Sequence, residues 1–401
     1  MDVASGHVNA LAALAVEVGA NVQAGQVVSV SCRPGQEDLV RAIAEAAYRR
    51  GAKYVDVSWF DPHVKHARVA HAAEDTLGWV PPWLGQRITQ IGEMAGATIA
   101  LSGPTAPGLF DDLDPERGAK DRLPSVRESI PVIMGALVNW TVAPCPHPAW
   151  AALVHPDLDP DAAYARLWDE IAHVCRLDEP DPAAAWRARG AELAAAADRL
   201  NARRLDALHF VGPGTDLRVG LLPQSRWVGG GDERNDGLPH LPNIPTEEVF
   251  TTPDPTRTEG HVTSTQPLEV GGTIIRGLRV RFEGGRAVAI DADSGAEVLR
   301  GRAAVDDGAA RLGEVALVDG SGRIGPLGVT FFDTLLDENA ASHIAIGAGY
   351  PKGTDGTAPD GVVNDSEIHI DFMIGGPEVT VFAVDADGVE TPLLAGGDWA
   401  G

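Results

Sequence analysis

Histidines and carboxylates recur at short spacings in the C-terminal half of this sequence, in an arrangement suited to holding divalent cations. The segment Asn364-Asp365-Ser366-Glu367-Ile368-His369-Ile370-Asp371-Phe372 alternates polar and apolar residues. As a strand it sends Glu367, His369 and Asp371 to one face and Ile368, Ile370 and Phe372 to the other. An imidazole and a carboxylate two residues apart then point the same way and can ligate one metal or two adjacent ones. A strand on a solvated surface shows the same alternation, so the segment gains weight only through convergence with other ligands. Upstream, Thr334 to Gly347 reads as a loop entering a short helix, with His343 near one end of that helix and Tyr350 seven residues later, beyond two glycines. Taken singly, such a histidine suits a hydrogen-bonded structural role, and such a tyrosine suits packing. Glu314 opens a Val-Ala-Leu-Val run, and Glu247-Glu248 precedes Val249-Phe250. A carboxylate buried in such surroundings is costly unless compensated, and a metal would compensate it. Exposure at a strand end is the competing account, and periodicity does not separate Glu247 from Glu248.

The elements that must position these residues divide the chain. Val27 to Ser31 is β-rich, Glu37 to Arg50 carries an apolar stripe through Leu39, Val40, Ile43 and Ala47, and Tyr54 to Phe60 returns to strand composition, a β-α-β pattern. A further strand is expected at Ala97 to Leu101. No glycine-spaced dinucleotide loop follows the first strand, and Gly35 alone does not supply one. Two helices are expected between Asp161 and Leu200, interrupted at Asp178 to Pro182. Beyond residue 200 helical periodicity gives way to short strands. Ile274 to Phe282 and Arg286 to Asp291 flank Gly284-Gly285 as a hairpin, and Glu314 to Val318 and Glu367 to Ile374 read as strands. The expectation is an α/β N-terminal domain over 1–200 and an α+β C-terminal domain over 201–401 that carries the metal-binding chemistry.

Composition excludes several function classes. With 32 Lys and Arg against 57 Asp and Glu, the formal charge is −25, and no basic block tracks a phosphate backbone, so nucleic acid is not the expected partner. Three cysteines, Cys32, Cys145 and Cys175, lack the paired short spacing of a disulfide scaffold or a zinc knuckle. No stretch approaches about 20 continuous apolar residues, and no basic leader precedes an apolar segment, so no membrane association is expected and the cytoplasm is the expected location.

The segments Asn243-Ile244-Pro245-Thr246-Glu247-Glu248-Val249-Phe250-Thr251, Leu312-Gly313-Glu314, Asp337-Glu338-Asn339-Ala340-Ala341-Ser342-His343-Ile344-Ala345 and Ile368-His369-Ile370-Asp371-Phe372-Met373 together resemble the signature segments of the thermophilic aminopeptidase family, the AmpS or PepS type. Val55-Asp56-Val57-Ser58-Trp59 and Gly212 to Leu221 extend the similarity. The resemblance implies a dimeric exopeptidase that acts on peptides with a free N-terminus through two divalent metals, zinc or cobalt, with manganese or magnesium also compatible. Position by position, it implies Glu248, Glu314, His343, Tyr350, His369 and Asp371 as metal ligands, and it selects Glu248 over Glu247. It also implies Glu338 as general base, although Asp337-Glu338-Asn339 read by itself favours a solvated turn. The connection from Tyr350 to His369 is shorter than the family pattern, and Gly349 stands where a small non-glycine residue is common. Two other functions suit the same ligand types: a metal-stabilised binding protein without turnover, and a metallo-phosphoesterase.

Overall fold

The computed structural model describes residues 3–121, 123–124 and 126–400. Two compact units are present, one comprising Met1–Arg189 with Gly231–Thr246 and the other Gly190–Gly230 with Glu247–Gly401. The chain thus crosses between units three times, where the sequence alone suggests a single crossing near residue 200. The first crossing falls inside the helix Pro182–Arg203. Its second half carries Leu193, Ala196, Ala197 and Leu200, and these side chains join the hydrophobic core of the second unit.

In the first unit, the strands Tyr54–Trp59, Val27–Cys32, Ala97–Ser102 and Asn139–Pro144 form a parallel sheet in that order. The helix Glu37–Arg49 connects the first two strands of the chain and buries Leu39, Val40, Ile43 and Ala47, the stripe visible in the sequence. The turn before it is closed by its own side chains. The Glu37 carboxylate accepts the Gly35 N–H at 3.1 Å, and the Gln36 amide donates to Ser102 O at 3.1 Å. Further along the chain lie the helices Pro160–Val174 and Pro182–Arg203. Each starts with proline behind a capping aspartate: Asp159 accepts the Ala162 N–H and Asp181 the Ala184 N–H.

The second unit is built from two antiparallel sheets that share one core. One sheet has eight strands, running in spatial order from Arg286–Asp291 through Arg279–Glu283, Pro253–Thr263, Thr215–Leu221, Ala207–Gly212, Thr380–Val384 and Glu390–Ala395 to Asp398–Trp399. The other has five: His369–Met373, His343–Gly347, Leu312–Val318, Glu248–Thr251 and Val228–Gly229. Phe210, Leu217, Val219 and Phe282 from the larger sheet and Val249, Val315, Leu317, Ile344, Ile346 and Phe372 from the smaller belong to that core. The expected hairpin forms around Gly284-Gly285, but its first strand is shorter than the sequence suggests, because Thr273–Ile275 pairs instead with Leu268–Val270 in a separate ribbon.

Two local expectations change. His343 is not at a helix end: helix Thr334–Asp337 and the 3-10 turn Glu338–Ala340 finish first, Ala341 is extended, and His343 opens the strand His343–Gly347. Alternating Ile344 and Ile346 find their burial in the sandwich core, which outweighs the weak helical pattern. Glu367 is exposed and lies before the strand, its N–H donating to Asp306 Oδ2 at 2.7 Å, so the polar face begins at His369.

Gly347 ends the His343 strand at φ +107°, and a Cβ there would collide with the Ile368 carbonyl oxygen. Gly347→Ala is expected to lower unfolding stability by about 1–3 kcal/mol. Denaturant unfolding of the purified variant checks this, and an unchanged midpoint would reject it.

Candidate metal centre

The strand register places the polar residues of the five-stranded sheet on one face. Glu314 pairs with Ala345, which pairs with Asp371, so these three residues form one cross-strand row. His343 is two residues before Ala345, and His369 is two before Asp371. Glu248 pairs with Val318, which shares the parity of Glu314 along its strand. Successive strand residues alternate faces, so Glu248, Glu314, His343, His369 and Asp371 all point one way. The opposite face is the apolar one in the sandwich core. Hydrophobic burial of one face therefore dictates the direction of every candidate ligand on the other.

Glu314 stands at the centre of the group. His343 Nε2 lies 4.0 Å from Glu314 Oε1 and 2.9 Å from Glu248 Oε2. His369 Nε2 lies 3.4 Å from Glu314 Oε2 and 3.5 Å from Asp371 Oδ1. Two clusters of ligand atoms result, Glu248–Glu314–His343 and Glu314–His369–Asp371, each with its atoms within 4.8 Å of one another. Both contain Glu314.

Backbone carbonyls orient the two imidazoles. His343 Nδ1 is 3.1 Å from Ala341 O, and His369 Nδ1 is 2.8 Å from Ala348 O. A carbonyl only accepts, so Nδ1 carries a proton and Nε2 is the ring atom turned to the carboxylates, the arrangement of a ligating histidine. Glu248 Oε2 is buried and has no hydrogen-bond partner despite its closeness to His343 Nε2. A cation shared between that oxygen and Nε2, whether a proton or a metal ion, satisfies both. This orphaned oxygen is the test of whether the group suits a metal, and the nitrogen and oxygen donors around it fit one.

Charge coupling points the same way. Burial pulls the His343 imidazole down, but the adjoining Glu248 carboxylate, with Asp371 and Glu338, pushes it up to about 10. His369 is raised well above the usual range, burial being outweighed by Tyr350, Asp371 and Glu314. Burial raises Glu314, against the pull of His369 and with the help of Glu248. Asp371 is lowered, because the charge and hydrogen bond of His369 overcome its burial. Glu314 and the two imidazoles thus favour added positive charge, and Asp371 stays ionised beside them. Tyr350 completes the rim, its ring 4.9 Å from His369 and 5.9 Å from Phe250, both edge-on.

Glu338 lies half-buried in the 3-10 turn, where burial and the charges of Asp371 and Glu248 raise it well above the usual carboxylate range. The solvated turn is thereby set aside. Asp337 accepts the N–H groups of Phe331 and Asp333 at 2.7 and 3.2 Å, which shapes the approach to the turn. Asn339 ties the turn to the ligand strand: its Oδ1 accepts the Glu247 N–H at 2.6 Å and its Nδ2 donates to Leu335 O at 2.9 Å. Asn364 Nδ2 likewise donates to Gly347 O at 2.6 Å and Gly308 O at 2.9 Å. Sequence reading did not single out these two asparagines, although both flank nominated residues. At Gly349 a Cβ would lie 2.9 Å from a Val363 methyl carbon and 3.1 Å from one of Thr252, so close packing requires the glycine.

Replacing His343 or His369 with Ala is expected to weaken metal binding by at least about 10- to 100-fold, the scale already seen for loss of outer-shell partners. Metal analysis of folded variants is the check, and full occupancy would exclude that histidine as a ligand.

A profile of the thermophilic metalloprotease (M29) family matches residues 5–399. Aminopeptidase T of Thermus thermophilus is 42% identical over 408 residues, covering 100% of both chains. Aminopeptidase 2 of Geobacillus stearothermophilus is 36% identical, covering 97% of this chain and 96% of its own. The solved structure of wild-type AmpT from Thermus thermophilus superimposes with a TM-score of 0.88 at 40% identity, covering 98% of this chain and 99% of that one. With nearly its whole length matched, the chain belongs to the thermophilic metalloprotease (M29) family.

Proposed function

We propose that this protein is a metal-dependent aminopeptidase that releases N-terminal residues from peptides at a centre of two divalent ions. The observation that carries the two-ion reading is the division of Glu314 between two ligand clusters, one oxygen toward each histidine. In this reading Glu248, Glu314 and His343 hold one ion, and Glu314, His369 and Asp371 hold the other, with Tyr350 beside them. Zinc or cobalt suits this set of carboxylate, imidazole and phenol donors, and manganese or magnesium is compatible with its oxygens. When bound, such ions supply Lewis acidity toward the scissile carbonyl and toward water.

The remaining chemistry belongs to the protein. Glu338 takes a proton from the attacking water and passes it to the departing amine, a role that its raised proton affinity suits. The neighbouring carboxylates attract the substrate ammonium through charge-assisted hydrogen bonds, which explains a requirement for a free N-terminus. His343 and His369 keep their orientation through Ala341 O and Ala348 O. A homodimer in the cytoplasm is part of the same reading, supported by family resemblance and by three buried free cysteines. Among the described residues, no helix is long and apolar enough to cross a membrane.

Glu338→Gln is expected to keep its metal and lose about 10²–10⁴-fold in turnover of an aminoacyl anilide. Unchanged turnover would reject Glu338 as the proton carrier, and lost metal would make it a ligand instead. Mass spectrometry of digests is expected to show residues leaving singly from free-amine peptides. Efficient internal cleavage of an amino-blocked peptide, or preferential hydrolysis of a phosphate ester, would overturn the substrate assignment.

A further inference from the structure

We propose that Asp306 and Asn364, neither of them a ligand, position the His369–Asp371 half of the metal centre and set its affinity for an ion; the inference rests on the two-ion reading above. His369 and Asp371 lie on an edge strand of the five-stranded sheet, which has a neighbour on one side only. His369 stands opposite Gly347 in the last register pair of that ladder. At the same end of the sheet, the pairing of Leu312–Val318 with His343–Gly347 is interrupted between Leu312 and Glu314, where a Cβ on Gly313 would collide with the Ala348 carbonyl oxygen. His343, by contrast, is paired on both sides, with Ala316 and with Met373. Backbone pairing therefore constrains the His369 corner less than it constrains the interior of the sheet.

Side chains supply what the ladder lacks. One carboxylate serves the approaches to two ligand strands. Asp306 Oδ1 accepts the N–H groups of Gly308 and Ala309 at 2.9 and 2.8 Å, on the way into the strand of Glu314. Its Oδ2 accepts the Glu367 N–H at 2.7 Å and the Ser366 hydroxyl at 3.0 Å, on the way into the strand of His369 and Asp371. Asn364 then ties both approaches to the corner between them. Its Nδ2 donates to Gly308 O and Gly347 O, and its own backbone carbonyl accepts the Gly349 N–H at 2.8 Å. Ala348, between those two glycines, donates its N–H to Ile368 O at 2.7 Å and holds the His369 ring through its carbonyl. Gly308 permits the close approach, since a Cβ there would collide with the Asp365 carbonyl oxygen.

A continuous set of directed hydrogen bonds thus runs from Asp306 to the ring nitrogen that orients His369. Ligand geometry must hold to within about 0.5 Å to favour an ion, and this set fixes the one ligand strand that lacks a second neighbour. Asp306 is suited to the task because a carboxylate only accepts, and all four groups facing it are donors. An asparagine of the same shape would turn an NH₂ toward two of them. The His343 half depends on other contacts, because its ring takes its orientation from Ala341 O on an interior strand. Loss of Asp306 or Asn364 should therefore weaken one half of the centre and spare the other.

Stepwise cobalt titration of the metal-free protein, followed by visible absorption and calorimetry, tests the assignment. Wild type is expected to take up two ions. Asp306→Asn and Asn364→Ala are each expected to weaken one binding step by about 10- to 100-fold, the scale for loss of a partner behind a ligand, and to leave the other unchanged. Ser366→Ala removes only one of the bonds to Asp306 and should weaken the same step less, which keeps the test open if Asp306→Asn does not fold. Combination with ligand variants identifies the step: Asp306→Asn is expected to add no loss to His369→Ala, but its full loss to His343→Ala. Val262→Ala, a core truncation in the larger sheet, serves as the control for lowered stability alone and should leave both steps intact. Two unchanged steps in Asp306→Asn, equal weakening of both, or a further loss in the His369→Ala background would overturn the role of Asp306. A single binding step in wild type would overturn the two-ion reading itself, and this assignment with it.

Discussion

The crowding of negative charge on one face of a five-stranded sheet is the constraint on which the rest of this structure turns. Glu248, Glu314, Asp371 and Glu338 act on one another there, with His343 and His369 among them. Two like charges 4 Å apart repel by about 4 kcal/mol at an effective dielectric constant of 20. Several such pairs rival the net stability of a domain. A bound divalent cation would convert that repulsion into attraction, which makes metal binding and local order parts of one equilibrium.

The sheet tolerates the crowding because its other face is hydrophobic. Val249, Val315, Leu317, Ile344, Ile346 and Phe372 are tied into the core shared with the larger sheet. A strand cannot rotate its carboxylates toward solvent without lifting that row out of the core, and a one-residue slip exchanges the two faces entirely. Apolar burial on one side thus enforces an unfavourable polar cluster on the other, the preorganisation that metal binding requires.

Around the ligands, neutral groups supply orientation without adding charge. Ala341 O and Ala348 O each hold a histidine ring, Asn339 joins the Glu338 turn to the strand at Glu247, and Asn364 holds the corner at Gly347. Amides and carbonyls suit this task because they are satisfied by single directed hydrogen bonds and leave the electrostatic balance to acids, imidazoles and metals.

The sequence by itself determined a good deal of this. Period-two alternation marked the strand from His369 to Asp371, the stripe Leu39-Val40-Ile43-Ala47 marked the first connecting helix, and Gly284-Gly285 marked a hairpin, because each is a local pattern read over a few residues. Family-like segments brought Glu248, Glu314, His343, Tyr350, His369, Asp371 and Glu338 together before any fold was considered. Other features needed the folded chain. His343 became a strand residue because Ile344 and Ile346 are buried by partners distant in sequence, Glu367 left the polar face because Asp306 holds its backbone, and the helix Pro182–Arg203 serves two units because its second half packs in a core built from residues beyond 200. The sharing of Glu314 between two histidines was likewise decided only by register. Which oxygen faces which ring depends on strands paired across the sheet, and that pairing is set by hydrophobic burial on its far side.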